Sequence, residues 1–265
     1  MARRRGERDP DTLLPGRPGH LLPGRAGGGP VTLAPALTGG IIAAGDGSRL
    51  RRAGWTVPKP LVPVAGVPLI EAVIRNFRAA GVTSLRIIVN ERARACVEWV
   101  RARLPEVDAE FIVKTTASSY ESFLEVTRGG TGRMLVSTVD AWCREADFVR
   151  FVEAAAQRPP DATVLAVTPL VADERPLWVR VDATGRVTEL GGGAGELVTA
   201  GMYLVPERVR TMDAPPGMGR LREFLTWLSR SGEPLYGEVI QTVVDVDRGD
   251  DVALAEALAL GARSS

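Results

Sequence analysis

The strongest constraint in this sequence is a glycine-rich turn that directly follows a short β-branched run. The segment covers residues 40–70 and reads GIIAAGDGSRLRRAGWTVPKPLVPVAGVPLI. Ile41 and Ile42 predict a buried strand. Gly45 and Gly47 can adopt the positive φ that lets consecutive backbone N–H groups converge on an anion without a Cβ in the way. An apolar strand that ends in such a turn predicts an α/β fold with a phosphate site at the end of the strand.

Two cations complete the predicted phosphate site. Arg49 lies on the same loop, and its planar guanidinium suits two phosphate oxygens, whereas the Lys59 ammonium is a compact point charge. Among 33 Lys and Arg residues, lysine occurs only at Lys59 and Lys114. A chain that uses arginine for almost every cation thus has a lysine between Pro58 and Pro60, where the backbone is stiffened on both sides. We expect position 59 to require an ammonium.

The spacing of this segment differs from that of two better-known phosphate motifs, G-x-x-x-x-G-K-[ST] and G-x-G-x-x-G. A lone glycine-rich turn after a strand is commonly only a turn. The phosphate interpretation therefore depends on the combination of the loop, Pro-Lys-Pro and Gly-Val-Pro-Leu-Ile within residues 40–70.

This combination resembles the amino-terminal signature of the nucleotidyltransferases that join an NTP to a sugar 1-phosphate or a similar phosphate, also called NDP-sugar pyrophosphorylases. A weaker resemblance extends from about residue 39 to residue 258. It implies that Arg49 and Lys59 are the catalytic cations. The nucleotide-binding residues that it implies are Ala43, Ala44, Gly45, Asp46, Gly47, Ser48 and Ser119. For Ser119 and its neighbour Ser118, capping of a helix is the alternative.

Composition narrows the chemistry. The chain has 265 residues, 45% of them hydrophobic, and a net charge of +1, which gives no electrostatic reason to expect nucleic acid or a membrane surface as a partner. Cys96 and Cys143 are too few for a disulfide framework, so we expect core thiols of a cytoplasmic protein. The single histidine, His20, lies near the amino terminus. We therefore expect neither a histidine-based triad nor a histidine-ligated zinc site. A homo-oligomer is compatible with this composition.

Residues 1–37 differ in composition from the remainder. They are rich in Gly, Pro and Arg, and LLPGR occurs twice, at residues 13–17 and 21–25. Because such a segment has few groups to bury, we expect a disordered tail. Residues 38–265 are then expected to form one nucleotidyltransferase domain.

Residues 38–265 alternate strand-like and helix-like patterns. Strands are predicted at residues 41–44, 84–90, 110–114, 133–139, 163–167, 178–181, 186–190, 198–205 and 243–246, and helices at residues 68–80, 91–104, 119–126, 147–156, 219–229 and 250–260. Repeated β-α units imply an α/β, Rossmann-like, doubly wound fold with a mostly parallel mixed sheet. In such sheets ligands bind beyond the carboxyl ends of the strands, where the glycine loop falls.

Two carboxylates follow apolar strands. Asp140 ends MLVSTV, and Asp245 ends a short run within VVDVD. A carboxylate at the mouth of a buried strand needs a partner, although an Asp in this position is often only a turn or a helix cap. Mg²⁺ typically takes one or two carboxylates plus substrate phosphates and water. The resemblance implies that Asp140 and Asp245 are the magnesium ligands, with Asp247 as the rival for the second position.

The resemblance to the acceptor side of the family is weaker. The segment TAGMY at residues 199–203 is similar to the family's Ala-Gly-Ile-Tyr strand, which implies an acceptor-binding role for Gly201, with simple packing as the alternative. Glu189 lies where many sugar-specific members have Glu-Lys, so the same role is implied for it. Leu190 replaces that lysine, which leaves the acceptor open.

The implied activity is transfer of NMP from an NTP to a sugar 1-phosphate or a related small phosphate, with release of pyrophosphate and with Mg²⁺ as cofactor. One alternative is a cytidylyltransferase acting on a non-sugar phosphate such as inositol phosphate or phosphocholine; a molybdopterin-type phosphate is a further acceptor. The other alternative is a non-catalytic, nucleotide-binding regulatory homologue. The simultaneous presence of Arg49, Lys59, Asp140 and Asp245 disfavours the regulatory alternative.

Overall fold

The computed structural model of this protein describes residues 37–171 and 175–261, in which strands and helices alternate. The strands are β1 (Thr38–Ala43), β2 (Pro63–Val64), β3 (Val67–Pro68), β4 (Ser84–Val89), β5 (Asp108–Val113), β6 (Met134–Thr138), β7 (Ala141–Trp142), β8 (Thr163–Thr168), β9 (Trp178–Val181), β10 (Val187–Leu190), β11 (Leu197–Val205), β12 (Leu235–Val239) and β13 (Val244–Asp245). The helices are α1 (Ser48–Arg52), α2 (Leu69–Ala79), α3 (Arg94–Arg103), α4 (Ser119–Thr127), α5 (Glu145–Ala156), α6 (Glu207–Arg210), α7 (Leu221–Arg230) and α8 (Gly249–Gly261), and 3₁₀ turns occur at Lys59–Leu61 and Glu91–Ala93.

Nine of the strands in the described ranges form one mixed sheet. Strands β6, β1, β4 and β5 run parallel, in that order, and β5 is an edge strand. Strand β11 joins β6 in the antiparallel direction and also pairs with β8 and β9, while β12 runs parallel to β8. The predicted Rossmann-like α/β fold with a mostly parallel mixed sheet is confirmed.

Both faces of the sheet are buried, which explains the continuous apolar character of its central strands. The alternation of side chains along β1 sends Ile41 to one face and Ile42 to the other. Helices α2, α3, α5 and α8 cover the Ile41 face, and α4 and α7 cover the Ile42 face. The carboxyl end of β1, where the glycine loop begins, is therefore fixed from both sides.

Several short elements were not predicted. Helix α1 has only five residues, and its N-cap Gly47 provides no side-chain hydrogen bond, so the usual start signal is missing. Strand β12 was missed because Gly237 interrupts its apolar pattern. A Cβ on Gly237 would lie 2.9 Å from Val181 Cγ1, so the close approach of β9 requires glycine there.

The element boundaries also differ in places. The helix predicted at residues 91–104 begins with the 3₁₀ turn Glu91–Ala93 before α3, and the helix predicted from residue 147 begins at Glu145. The strand predicted at residues 243–246 shortens to β13, which pairs with β7 outside the main sheet.

The predicted tail, residues 1–37, lies outside the described residues except for Leu37. The described residues all belong to one compact unit. None of the helices that the structure describes is long and apolar enough to cross a membrane.

Candidate active site

The glycine loop connects β1 to α1 and packs directly against Lys59. Gly47 has φ 60°, and a Cβ at this position would lie 2.9 Å from Lys59 Cβ. Gly45 does not have a positive φ, and open space surrounds the position that its Cβ would take. Of the two glycines predicted to have a positive φ, only Gly47 has one. The absence of a Cβ at Gly47 also lets Lys59 pack against the loop.

Asn90 fixes the same loop from β4, and the sequence interpretation missed it. Its side-chain amide donates to the carbonyl oxygens of Ala44 and Gly45, at 3.1 and 2.9 Å, while its Oδ1 accepts from the Ala93 N–H at 2.9 Å. The side chain is largely buried, so it holds the loop from within the fold. An asparagine at the end of a parallel strand, followed by a helical turn, is the signal that could have identified it.

The ammonium of Lys59 lies at the centre of a charged cluster. Its Nζ is 2.6 Å from Asp140 Oδ2 and 2.8 Å from Asp247 Oδ1, and Asp247 Oδ2 also pairs with the Arg49 guanidinium. Lys59 is only 8% exposed. The cluster therefore joins two predicted cations to one predicted metal ligand and to Asp247.

Burial and charge oppose each other at Lys59. Burial alone would lower the pKa of Lys59, but the facing carboxylates, first Asp140 and then Asp247 and Asp245, outweigh it and raise that pKa. Burial likewise acts to raise the pKa of Asp247, yet Lys59 and Arg49 hold it below its usual range. Both groups are therefore charged at neutral pH.

The fold brings the two predicted metal ligands together from distant parts of the chain. Asp140 follows β6, and β13 pairs with β7 so that Asp245 lies opposite Ala141. The Val246 N–H donates to the Asp140 carbonyl oxygen at 3.0 Å. Asp140 and Asp245 consequently line the same cavity.

Two adjoining cavities meet at Asp140. The larger one has a volume of about 750 Å³ and lies over the glycine loop. The smaller one, of about 280 Å³, lies over β11 and also contains Asp245. The residues that line both cavities are Ile42, Ser119, Thr138 and Asp140. This arrangement provides two compartments with a shared carboxylate at their boundary.

The predicted nucleotide residues take different positions around the larger cavity. Ala43, Ala44, Gly45, Asp46 and Ser119 are among its lining residues. Gly47 and Ser48 follow at the start of α1 and are not part of that lining.

Asp46 has its own ion pairs at the exposed rim of the larger cavity. Its carboxylate is 3.0 Å from Arg51 and 3.3 Å from Arg92. It contacts rim cations, separate from the cluster around Lys59.

Ser118 and Ser119, at the start of α4, make different hydrogen bonds. Ser118 caps the helix by accepting from the Glu121 N–H at 3.0 Å. Ser119 Oγ instead accepts from the Leu221 N–H at 3.0 Å, which ties α4 to the first residue of α7. The capping alternative applies to Ser118, whereas Ser119 faces both cavities.

Of the two predicted acceptor residues, the structure brings only Gly201 to the cavity. Gly201 has φ 72° at an irregularity of β11, and a Cβ there would lie 2.7 Å from Thr138 Oγ1. Glu189 lies on the exposed strand β10, where its carboxylate is 3.1 Å from Arg180 Nη1, and it does not line either cavity. Glu189 lies at the edge of the sheet, where β10 pairs with β9, and its acceptor-binding role stays a prediction.

Tyr203 is a cavity residue that the sequence interpretation did not single out for a role. It is 6% exposed, lines the smaller cavity, and makes no hydrogen bond through its hydroxyl to any residue in the described ranges. Burial, together with the charges of Asp140 and Asp245, raises the pKa of Tyr203. A neutral tyrosine thus lines the smaller cavity.

Residues 39–204 match the sequence model of the MobA-like NTP transferase domain. The chain is 30% identical over 182 residues to the CMP-5'-(3-aminopropyl)phosphonate synthase of Streptomyces rubellomurinus, an alignment that covers 63% of this chain and 28% of that protein. It is 29% identical over 249 residues to the bifunctional IPC transferase and DIPP synthase of Rubrobacter xylanophilus, covering 83% and 51%. This chain thus spans about half or less of the length of these two relatives.

A solved structure, that of the inositol-1-phosphate CTP transferase from T. maritima, superposes with a TM-score of 0.72 at 18% identity. The superposition covers 84% of this chain and 95% of that structure. The match supports the fold.

Proposed function

Since this chain belongs to the MobA-like NTP transferase family, we propose that it transfers a nucleotidyl group from an NTP to a small phosphorylated acceptor and releases pyrophosphate. The observation that supports the proposal is the cluster of Lys59, Asp140, Asp247 and Arg49. Within this cluster, Asp140 lines both cavities and Lys59 lines the larger one. One cavity would take the nucleotide and the other the acceptor.

The glycine loop supports nucleotide binding in the larger cavity. Arg49 and the amides of residues 45–48 would bind the β- and γ-phosphates, because a guanidinium and clustered N–H groups both suit phosphate oxygens. Lys59 would lie between the α-phosphate and the incoming acceptor phosphate. Its nearly complete burial fixes the position of the charge in advance, which is what electrostatic stabilisation of a transition state requires.

The reaction needs no protein nucleophile or general base. An acceptor phosphate oxygen is already anionic near neutral pH and can attack the α-phosphorus of the NTP. A new phosphorus–oxygen bond forms while the bond to pyrophosphate breaks, and the leaving group departs with its electron pair. The protein's task is to align two anions that repel each other and to neutralise the charge that develops.

The donor set fits a magnesium ion held mainly by substrate. Asp140 and Asp245, which line the same cavity, would supply oxygen ligands, and the described residues contain no group of three or more His, Cys, Asp or Glu side chains that could hold a metal. Mg²⁺ commonly binds through one or two carboxylates together with substrate phosphates and water. When bound, the ion would neutralise charge on the α-phosphate and the leaving group.

The acceptor that we propose is a sugar phosphate, a polyol phosphate or a phosphonate. The names of the relatives support this range, since they include a phosphonate synthase that forms a CMP adduct and an inositol-1-phosphate CTP transferase. The smaller cavity offers the hydroxyl groups of Thr138, Thr168 and Tyr203. These groups suit an acceptor that carries hydroxyl or phosphoryl oxygens.

Pyrophosphate release tests the proposal directly. The protein is incubated with each NTP, Mg²⁺ and a panel of sugar phosphates, inositol phosphate, phosphocholine and aminoalkylphosphonates. Release that depends on one nucleotide and one acceptor is expected. Lys59→Ala should lower the rate roughly 10²–10³-fold, as loss of a single transition-state donor does, and Asp140→Ala should also abolish most of it.

The Arg49→Lys variant tests whether the guanidinium binds phosphate through two nitrogen atoms. We expect it to be costly although the charge is kept, because an ammonium cannot reproduce the planar fork of the guanidinium. Silence of the wild-type protein across the whole panel, with retained nucleotide binding, would instead favour the regulatory alternative.

A further inference from the structure

We infer that Asp247 holds the place of a substrate phosphate between Arg49 and Lys59 in the free protein, and that the polyphosphate must displace it. The inference rests on the proposed nucleotide site. It assigns Asp247 as a positioning residue, distinct from the two carboxylates proposed for the metal.

The contacts of Asp247 are those of a bridging anion. One carboxylate oxygen is 2.8 Å from Lys59 Nζ, and the other pairs with the Arg49 guanidinium. A phosphate group can present two oxygens to the same two cations, because guanidinium and ammonium groups bind carboxylates and phosphates in similar ways. The side chain therefore occupies the space beside the two cations that the proposed mechanism assigns to the polyphosphate.

The backbone around Asp247 is anchored independently of these cations. The N–H groups of Asp247 and Arg248 donate to Asp251 Oδ2 at 2.9 and 2.7 Å, at the first turn of α8. Removal of the side chain from the cations thus leaves the backbone contacts in place. The Asp247 side chain is 27% exposed against 7% for Lys59, so the carboxylate has room to rotate while the ammonium stays fixed.

Asp140 remains beside Lys59 when Asp247 leaves. It follows the central strand β6 and lies 2.6 Å from the ammonium, so the buried charge keeps one partner. The displaced carboxylate competes with any polyphosphate for the same cations, because the two negatively charged groups repel each other. Asp247 should therefore weaken the binding of bare polyphosphate.

Inorganic pyrophosphate, in a buffer that contains EDTA, is the probe for this competition. Isothermal titration calorimetry on the full chain measures its affinity for the protein. Asp247→Asn should bind pyrophosphate about tenfold more tightly than wild type, as expected for removal of one competing charge from a partly buried site. Asp250→Asn is the matched control, since it removes the same charge three residues away from an exposed side chain in the first turn of α8. It should change the affinity less than about twofold.

Unchanged or weaker pyrophosphate binding by Asp247→Asn would overturn the inference. An equal gain in affinity by Asp247→Asn and Asp250→Asn would also overturn it, because that result indicates a general charge effect. Pyrophosphate binding in EDTA reports on the cations even if no acceptor is found. Failure of the proposed activity is therefore distinguishable from failure of this inference.

Carboxylate labelling of the wild-type protein gives a second measurement that needs no variant. Carbodiimide coupling followed by mass spectrometry should modify Asp247 faster when pyrophosphate is present, because its ion pairs are broken. Labelling that stays unchanged or slows on addition of pyrophosphate would show that the carboxylate is not displaced.

Discussion

Gly47 links the conformation of the glycine loop to the position of the ammonium. Gly47→Ala should destabilise the protein by about 1–2 kcal/mol from the left-handed backbone alone, and the new Cβ would lie 2.9 Å from Lys59 Cβ. Because the lysine must shift, pyrophosphate release should fall roughly 10²-fold, as a displacement of about 1 Å can cause. Urea unfolding and the release assay measure the two effects.

Gly45→Ala separates loop packing from nucleotide contact. The position lacks a positive φ and faces open space, so stability should change by less than about 0.5 kcal/mol. Nucleotide affinity should nevertheless fall, since Gly45 lines the larger cavity. Equal destabilisation by both substitutions would contradict the role assigned to Gly47.

Tyr203 offers a test of the acceptor side. Tyr203→Phe removes a hydroxyl that makes no hydrogen bond to the described residues, so the melting temperature should change little. If the hydroxyl donates to the acceptor, the KM for the acceptor should rise about three- to tenfold, equivalent to one ordinary hydrogen bond. The KM for the NTP is the internal control and should stay constant.

At this scale the sequence identified the groups whose chemistry is unusual for the chain. Lys59 was found because lysine is rare here, and Asp140 because it ends a buried strand. Asn90 and Tyr203 were not recognised, since their roles depend on which carbonyls and cavities the fold brings near them. Glu189 was placed by position in the sequence, whereas its environment depends on strand pairing.

The tight turn between β2 and β3 stores strain at one residue. Ala65 has φ 47°, the only non-glycine residue with positive φ in the described ranges, and Gly66 follows with φ 81°. Ala65→Gly should raise the free energy of unfolding by about 0.5–1 kcal/mol, because relief of the left-handed penalty exceeds the added entropy of the unfolded chain. Urea denaturation measures the change.

Ala80→Gly is the control for this element-scale prediction. Ala80 caps the end of α2 with φ −80°, a conformation that alanine adopts without strain. The substitution should therefore lower stability by about 0.5–1 kcal/mol. Stabilisation at both positions would show that the backbone strain at Ala65 is not the cause.

Elements with strong periodicity were predictable, and those set by tertiary contact were not. The β-α repeats from β1 to β6 follow their apolar patterns closely. Helix α1 and strand β12 are short and contain or adjoin glycine, so local preference does not define them. Their conformations depend on the packing of Lys59 and β9.

The stability of the whole molecule should decrease at alkaline pH because of its buried thiols. Burial raises the pKa of Cys96 and that of Cys143 to about 12. Above the ordinary thiol pKa of about 8.5, the unfolded chain loses these protons while the folded chain keeps them. Each thiol then lowers the free energy of unfolding by about 1.4 kcal/mol per pH unit.

Cys96→Ala isolates the contribution of one thiol. The variant will be less stable near neutral pH because it leaves a cavity. The difference from wild type should shrink between pH 9 and pH 11, as measured by urea unfolding across the series. A constant difference over that interval would contradict the raised pKa.

The pairing of β13 with β7 also sets when the active centre can form during synthesis. Lys59 and Asp247 are separated by 188 positions in the sequence. Asp247 can reach the Lys59 ammonium only after β13 has been synthesised, so nascent chains stopped before β13 would lack one carboxylate of the cluster.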